Sequence, residues 1–451
     1  MSLSPEESNL ISVLSDKLMD HQFQNSVREC YYEGKQRLKD LQISVPPSLR
    51  MLNSVVGWAG TAVDVLEERL DFEGWIGGTT LGLDAIYRAN ELDLESSQGH
   101  KDALIYGSGF VFVGKGMEGE PDPLITIESP KRATAIYDMR TRRPIAALLA
   151  RFSEKGVVEG GSLYLPNVTI YFGLGRKEWL EISRDDHNLG RVPCAPLINN
   201  PRSGDPWGRS EITRAVMSIT DSAMRTLVGA EISREFFASP QRYILGAAED
   251  AFVDAETGEP TNGWSVIQGR VLGIGFNDDD NVMPQVGQFS SNSPAPFFDQ
   301  LRAYAQMLAA ETSIPTSYLG LQTDNPASAD AIRALENRLV KRAERRQKQF
   351  GRTWSEVAKL SLLVRDGVIP AEVNDVRPIW RDASTPTVAA STDAAVKLIQ
   401  AGVLLPDSEV TYNRLNFSDA EKAQLARDKA RAGAGDLVAQ LAQAANPTPA
   451  A

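Results

Sequence analysis

Residues 206–240 read PWGRSEITRAVMSITDSAMRTLVGAEISREFFASP, and this stretch sets the frame for the rest of the chain. Ile212, Val216, Ile219, Ala223, Leu227 and Ala230 recur three or four residues apart. That spacing predicts one long helix over 209–238 with an apolar stripe. The loop NNPRSGDPWG (199–208) precedes it, and Ser210 or Asp205 is placed to cap it. Pro240 ends it, because a proline ring clashes with the preceding turn and has no N–H to donate. Residues 241–292 then turn glycine-rich and strand-like, with an acidic turn at Asp278, Asp279 and Asp280. Pro296 opens a second helix, which runs through Thr312 and closes before Ile314 and Pro315. A small β insert between two helices reads as a projecting subdomain on a helical stalk.

Toward the N-terminus, helical periodicity covers residues 1–26 and 48–70 and continues in 81–88 and 98–107. A β-rich zone follows, with strands expected at 110–113, 124–128, 145–152, 162–172 and 178–182. Turn signals separate them at 118–121, at Gly160-Gly161 and at 185–190. Residues 1–200 therefore read as one α+β body. Toward the C-terminus, 318–327 is loop, and a third long helix spans about 328–364. Residues 375–387 are extended, 391–434 form two or three helices broken at Gly402 and Pro406, and the Ala- and Pro-rich tip is expected to be disordered. The fold class is thus α+β, mainly helical.

The bulk numbers exclude several function classes. A length of 451 residues allows two to four domains at about 100–200 residues each. There is no apolar run long enough to span a membrane, and MSLSPEESNL lacks the apolar segment of a secretory signal. Cys30 and Cys194 stand in unrelated contexts without metal-ligand spacing, so neither zinc nor any other cofactor is expected. The net charge of −12 argues against a sequence-reading DNA binder, which carries a basic footprint. It suits a conduit, since phosphate contacts are what make proteins cling to DNA.

Catalytic motifs dissolve on inspection. GFVFVGKG (109–116) resembles a phosphate loop but has Gly116 where Ser or Thr must meet magnesium, and its inner residues are strand formers. GKGMEG (114–119) has dinucleotide-fingerprint spacing, but Pro121 and Pro123 block the helix such a site needs. His21, His100 and His187 lie apart, and no nucleophile elbow is present. Asp278–Asp280 lacks the alternating oxygens of a calcium loop and reads as a solvated turn.

The strongest charge feature lies in the third long helix. Arg333, Arg338, Lys341, Arg342, Arg345, Arg346, Lys348 and Arg352 are opposed only by Glu336 and Glu344, a local +6 in an acidic chain. The bland reading is a solvated face, or pairs with acids on a neighbouring helix or subunit. The functional reading is a band that meets phosphates or an acidic partner.

Six stretches, in this order, resemble the portal proteins of long-tailed bacteriophages, in the branch common among phages of actinobacteria. They are YYEGKQRLKDLQISVPP (31–47), NSVVGWAGTAVDVLEERL (53–70), ALIYGSGFVFV (103–113), PWGRSEI (206–212), AETSIPTSYLG (310–320) and NPASADAIRALENRLVKRAERRQKQF (325–350). The resemblance implies a portal fold: wing 1–205, stem helices 206–240 and 293–314, clip 241–292, tunnel loop and helix within 315–387, and crown helices from 388 with the tail. It implies a closed head-to-tail ring of about twelve copies at one capsid vertex, assembled in the host cytoplasm and carried in the virion. Its implied partners are the terminase large subunit, the head–tail connector, the major capsid and scaffold proteins, and double-stranded DNA passing without sequence reading. ATP hydrolysis would belong to the motor, so no catalysis is expected of this chain. Candidate DNA contacts are Gln322, Asp324, Asn325 and Ser328 of the loop and the helix residues Arg333, Arg338, Lys341, Arg342, Arg345, Arg346 and Lys348. The same arginines remain candidates for pairing across a subunit interface. Trp264, Arg270, Asp278, Asp279 and Asp280 are the clip candidates for terminase docking. The competing readings are another virion subunit, such as a capsid or tail protein, and a DNA-processing enzyme.

Overall fold

The computed structural model describes residues 3–37, 54–175, 178–237, 242–246, 283–288, 293–320, 329–384, 388–415, 417, 421–422 and 424–432. In chain order, α1 (Pro5–Tyr32) and α2 (Trp58–Glu67) precede β1 (Phe72–Ile76), α3 (Leu83–Ala89) and α4 (Leu92–Tyr106). Eight strands follow: β2 (Ser108–Gly114), β3 (Leu124–Glu128), β4 (Ala133–Tyr137), β5 (Pro144–Phe152), β6 (Val158–Tyr164), β7 (Thr169–Leu174), β8 (Trp179–Asp185) and β9 (Cys194–Ile198). Then come α5 (Arg214–Phe237), β10 (Arg242–Leu245), β11 (Gln285–Gln288), α6 (Ala295–Thr312), α7 (Ala329–Asp366), β12 (Arg377–Trp380), α8 (Val388–Gln400) and α9 (Glu409–Arg414). The class is α+β with helix the larger share.

The body is layered. An antiparallel three-stranded sheet, order β3-β2-β9, lies against an antiparallel five-stranded sheet, order β4-β5-β6-β7-β8. Phe110, Phe112 and Cys194 from the first meet Ala133, Ala135 and Ala147 from the second. The outer face of the larger sheet is covered by α1, which lays Ile11, Leu14 and Leu18 on Leu148, Leu163, Ile170 and Phe172. Strand β5 is therefore covered on both faces, which is why Ala146, Ala147 and Leu148 form a continuous apolar run instead of alternating. The other face of the small sheet carries Val111, Val113, Ala195 and Leu197 into the main core with α2, α4 and α7. That core is closed late in the chain, because β12 pairs antiparallel with β1.

An N-terminal capping box starts α1: Ser4 accepts from Glu7 N at 3.2 Å, and Glu7 accepts from Ser4 N at 2.8 Å. Helices α5 and α6 pack side by side through Ala223, Met224, Leu227, Leu301 and Tyr304. Between them in sequence stands the antiparallel pair β10–β11. The rest of the insert, including Trp264, Arg270 and Asp278–Asp280, lies outside the described residues, as do the loop 321–328 and the C-terminal tip.

Several local expectations are corrected. The expected strand 162–172 is two strands, β6 and β7, folded back around a turn at 165–168. Gly160 and Gly161 sit inside β6, not in a turn, and a Cβ on either would collide with a neighbouring strand's carbonyl (Phe172 or Leu149). Helix α5 begins at Arg214, five residues later than predicted. Its first turn is capped by Thr213, whose hydroxyl accepts from Val216 N at 3.3 Å. Ser210 instead donates to Ile105 O at 2.5 Å and ties the segment to α4. In the expected helix 48–70, described helix begins only at Trp58.

Candidate functional site

Helix α7 has two faces of opposite character. Leu339, Ala343, Arg346, Phe350, Trp354 and Val357 are buried, and their spacing of three and four residues puts them on one side. Arg338, Lys341, Arg345, Lys348 and Arg352 are exposed, again three and four apart, and at 100° per residue they fall on the opposite side. The basic residues with described side chains are thus divided by phase.

Arg346 is the one charged member of the buried stripe, only 4% exposed. Its guanidinium reaches Glu211 through Nη2–Oε1 at 2.6 Å and Nε–Oε1 at 3.2 Å. Arg342, one turn earlier, meets the other oxygen of Glu211 through Nη2 at 2.5 Å. Asn199 Nδ2 also donates to Glu211 Oε1, at 3.0 Å, and to Arg209 O, at 2.6 Å. Burial alone would raise the Glu211 carboxyl, but Arg346 and Arg342 outweigh it and hold it below the usual carboxylate range. Burial lowers Arg342, and Glu211 offsets part of that. The site joins the segment entering α5 to the middle of α7.

Further along the inward face is an aromatic cluster. Trp354 stacks on Phe72, with centroids 4.6 Å apart and an 11° interplanar angle, and His100 stacks on Phe350 at 5.1 Å and 2°. Trp354 Nε1 donates to His100 Nε2 at 2.9 Å, which places the histidine's proton on Nδ1. Trp75 Nε1 donates to Trp354 O at 3.0 Å. Burial depresses His100 to about 3, so it is neutral at physiological pH. Near the start of α7, Glu336 accepts from Tyr318 Oη at 2.6 Å and lies 3.5 Å from the buried Arg69, whose Nη1 donates to Ala383 O at 2.7 Å.

Of the candidate contacts, Arg338, Lys341, Arg345 and Lys348 are exposed side by side, and among the described residues none has an acidic partner. Arg342 and Arg346 are engaged inside the chain. Arg333 belongs to α7, but its side chain lies outside the described residues, as do Gln322, Asp324, Asn325 and Ser328. Glu211, Asn199 and Arg69 were not singled out by sequence. A readable signal existed for Arg346, whose phase matches Leu339, Ala343 and Phe350. A buried cation of that kind requires a buried acid elsewhere.

The phosphate-loop decoy is the centre of the small sheet: Phe110–Val113 pairs with β3 on one side, and Phe110–Phe112 pairs with β9 on the other. Among the described residues, no cluster of His, Cys, Asp or Glu is placed to hold a metal, and no helix is long and apolar enough to cross a membrane.

Residues 25–434 match the profile of the family described as phage portal protein, SPP1 Gp6-like. The chain belongs to the phage portal protein family. The portal protein of Mycobacterium phage D29 is 35% identical over 410 residues, covering 88% of this chain and 83% of that relative. The portal protein of Mycobacterium phage L5 is 34% identical over 415 residues, with the same coverage. Among solved structures, the virion of a native gene transfer agent particle matches at TM-score 0.43 and 14% identity, over 80% of this chain and 90% of that one. The neck of the native particle, computed with C12 symmetry, matches at TM-score 0.45 and 14% identity, over 80% and 91%. As a member of the portal family, the chain is a structural subunit of a portal ring in a virion.

Proposed function

We propose that about twelve copies of this chain close head to tail into the ring at one capsid vertex through which DNA is packed and ejected. The layered body is the wing, α5 and α6 are the stem, the insert around β10 and β11 is the clip, and α8 onward is the crown. The carrying observation is the packed helix pair α5–α6 with a strand pair between them in sequence. A β element mounted on a helical stalk presents a docking surface away from the body. The clip, with Trp264, Arg270 and Asp278–Asp280, receives the terminase large subunit and later the head–tail connector. The body contacts the capsid and scaffold proteins during assembly in the host cytoplasm.

The upper part of the exposed stripe, Arg338, Lys341 and Arg345, together with the loop 322–328, meets passing DNA. Three cations on one helix face give contact without tight capture, because each phosphate neutralised adds to affinity and the rest of the chain is acidic. The chain hydrolyses nothing, and the motor supplies the work. Mass photometry with negative-stain imaging of the full chain tests the reading. Closed rings with a central pore support it, whereas shells, tubes or compact dimers overturn it in favour of another virion subunit.

A further inference from the structure

The lower end of the exposed stripe does not run out into open solvent. Lys348 and Arg352 form one wall of a cleft of about 890 Å³, continued by Lys359. The facing wall is the β4–β5 turn, which carries Arg142 and Arg143. That turn is rigidly built: Asp138 Oδ1 accepts from Arg140 N at 2.7 Å, Arg142 N donates to Asp138 O at 2.7 Å, and Arg142 sits at φ +56°. The floor is edge strand β9, and Trp207 and Ile145 add exposed apolar surface at the rim. Arg191 is paired with Glu356 at 2.7 Å. Among the described residues, Arg142, Arg143, Lys348, Arg352 and Lys359 have no acidic partner.

The opposite edge of the same small sheet carries the reverse charge. The hairpin from β2 into edge strand β3 exposes Glu118, Glu120 and Asp122 against a single Lys115. Glu91 and Asp93 stand exposed on the neighbouring start of α4, which Asn90 ties to this hairpin by donating to Pro123 O at 3.0 Å. The tip is held by Glu120 N donating to Met117 O at 3.0 Å, and it presents Met117, 78% exposed.

We infer that the basic cleft is a subunit–subunit joint, and that its occupant is the acidic β2–β3 hairpin of a second copy of this chain. The inference rests on the ring reading above. A head-to-tail ring needs two different, complementary faces on each subunit. Here they lie at opposite edges of one rigid sheet, with Met117 available to the Trp207 and Ile145 rim and the acids to the arginines and lysines. The cleft volume is that of a pocket, suited to a loop tip.

The test is a charge swap in the full chain, read as ring fraction against concentration by mass photometry. The K348E/R352E and E118K/D122K variants change exposed side chains only, leaving Glu120, whose carboxylate accepts from Met117 N at 2.9 Å, in place, and unchanged thermal midpoints verify folding. Each variant alone is expected to raise the half-assembly concentration about tenfold or more, since like charges then face each other. The combined variant is expected to restore assembly. Rings that persist in both single variants, or a loss that the combined variant does not rescue, overturn the joint while leaving the ring reading intact. A wild-type chain that assembles into shells, tubes or compact dimers overturns the ring reading and the joint with it. Retained rings with lost duplex binding in K348E/R352E assign the cleft to nucleic acid instead.

Discussion

The inward and outward faces of α7 carry the same residue types to opposite ends. Arg346 and Arg345 are adjacent in sequence, yet one is buried against a carboxylate and the other stands in solvent. The difference lies in phase alone, and it decides how much each charge matters to stability. A buried guanidinium is tolerable only while its acid is present, because the protein interior cannot replace the lost water. An exposed one is screened, contributes little to folding and is free to meet a partner.

The sharpest way to break that contrast is to remove the acid. Glu211→Ala leaves Arg346 buried and unpaired, so a loss of about 3–5 kcal/mol is expected in urea unfolding. Replacing all three charges together, as Glu211→Leu with Arg342→Met and Arg346→Met, is expected to recover most of it. If Glu211→Ala unfolds like the wild type, the inward face is not buried as described.

The second test uses pH. His100 is depressed from about 6.5 to about 3 by burial, so the unfolded chain binds a proton there that the folded chain refuses. Its contribution is therefore fully present above pH 6.5 and is lost as pH falls toward 3. The expected loss is about 2 kcal/mol by pH 5. Glu211, also held low, adds to the loss in the same direction at more acid pH. A His100→Phe variant is expected to flatten the slope between pH 6.5 and 5. An unchanged slope would show that this histidine is solvated.

The smallest expected effect on stability belongs to the outward face. The triple variant R338A/K341A/R345A is expected to unfold within about 0.5 kcal/mol of the wild type. In the same protein, duplex DNA binding to assembled rings is expected to weaken, with the salt slope falling by up to about 0.9 per lost phosphate contact. A large stability loss would mean that these residues pair inside the fold. An unchanged salt slope would remove them from the DNA path.

The same contrast explains how much the sequence disclosed. Helices with long apolar stripes, α5, α6 and α7, were legible, because one periodic face suffices to announce them. So was the strand nature of Phe110–Val113, whose β-branched and aromatic residues suit no phosphate loop. The short strands β1, β4 and β9 were missed, since five residues with mixed burial carry little period. Gly160 and Gly161 misled, because the sequence pattern for a turn equals that for a crowded strand crossing. At the site, the basic helix was visible as composition, but its division was not. Whether Arg342 pairs inward depends on Glu211, which arrives from a loop 131 residues earlier in the chain.

The pairing of β1 with β12 also sets a timetable. Phe72 lies opposite Trp380, so the floor of the main core is not complete until the strand some 300 residues downstream has been made. At about 5–20 residues per second of synthesis, the ribosome delivers β12 roughly 15–60 s after β1. For most of that interval Phe72 and Trp75 lack Trp354 and Trp380, and helices α5 and α6 are made before either of those partners. A truncated or stalled chain therefore presents aromatic surface where a finished one presents a closed body, and only a fully translated subunit offers a neighbour both of its faces.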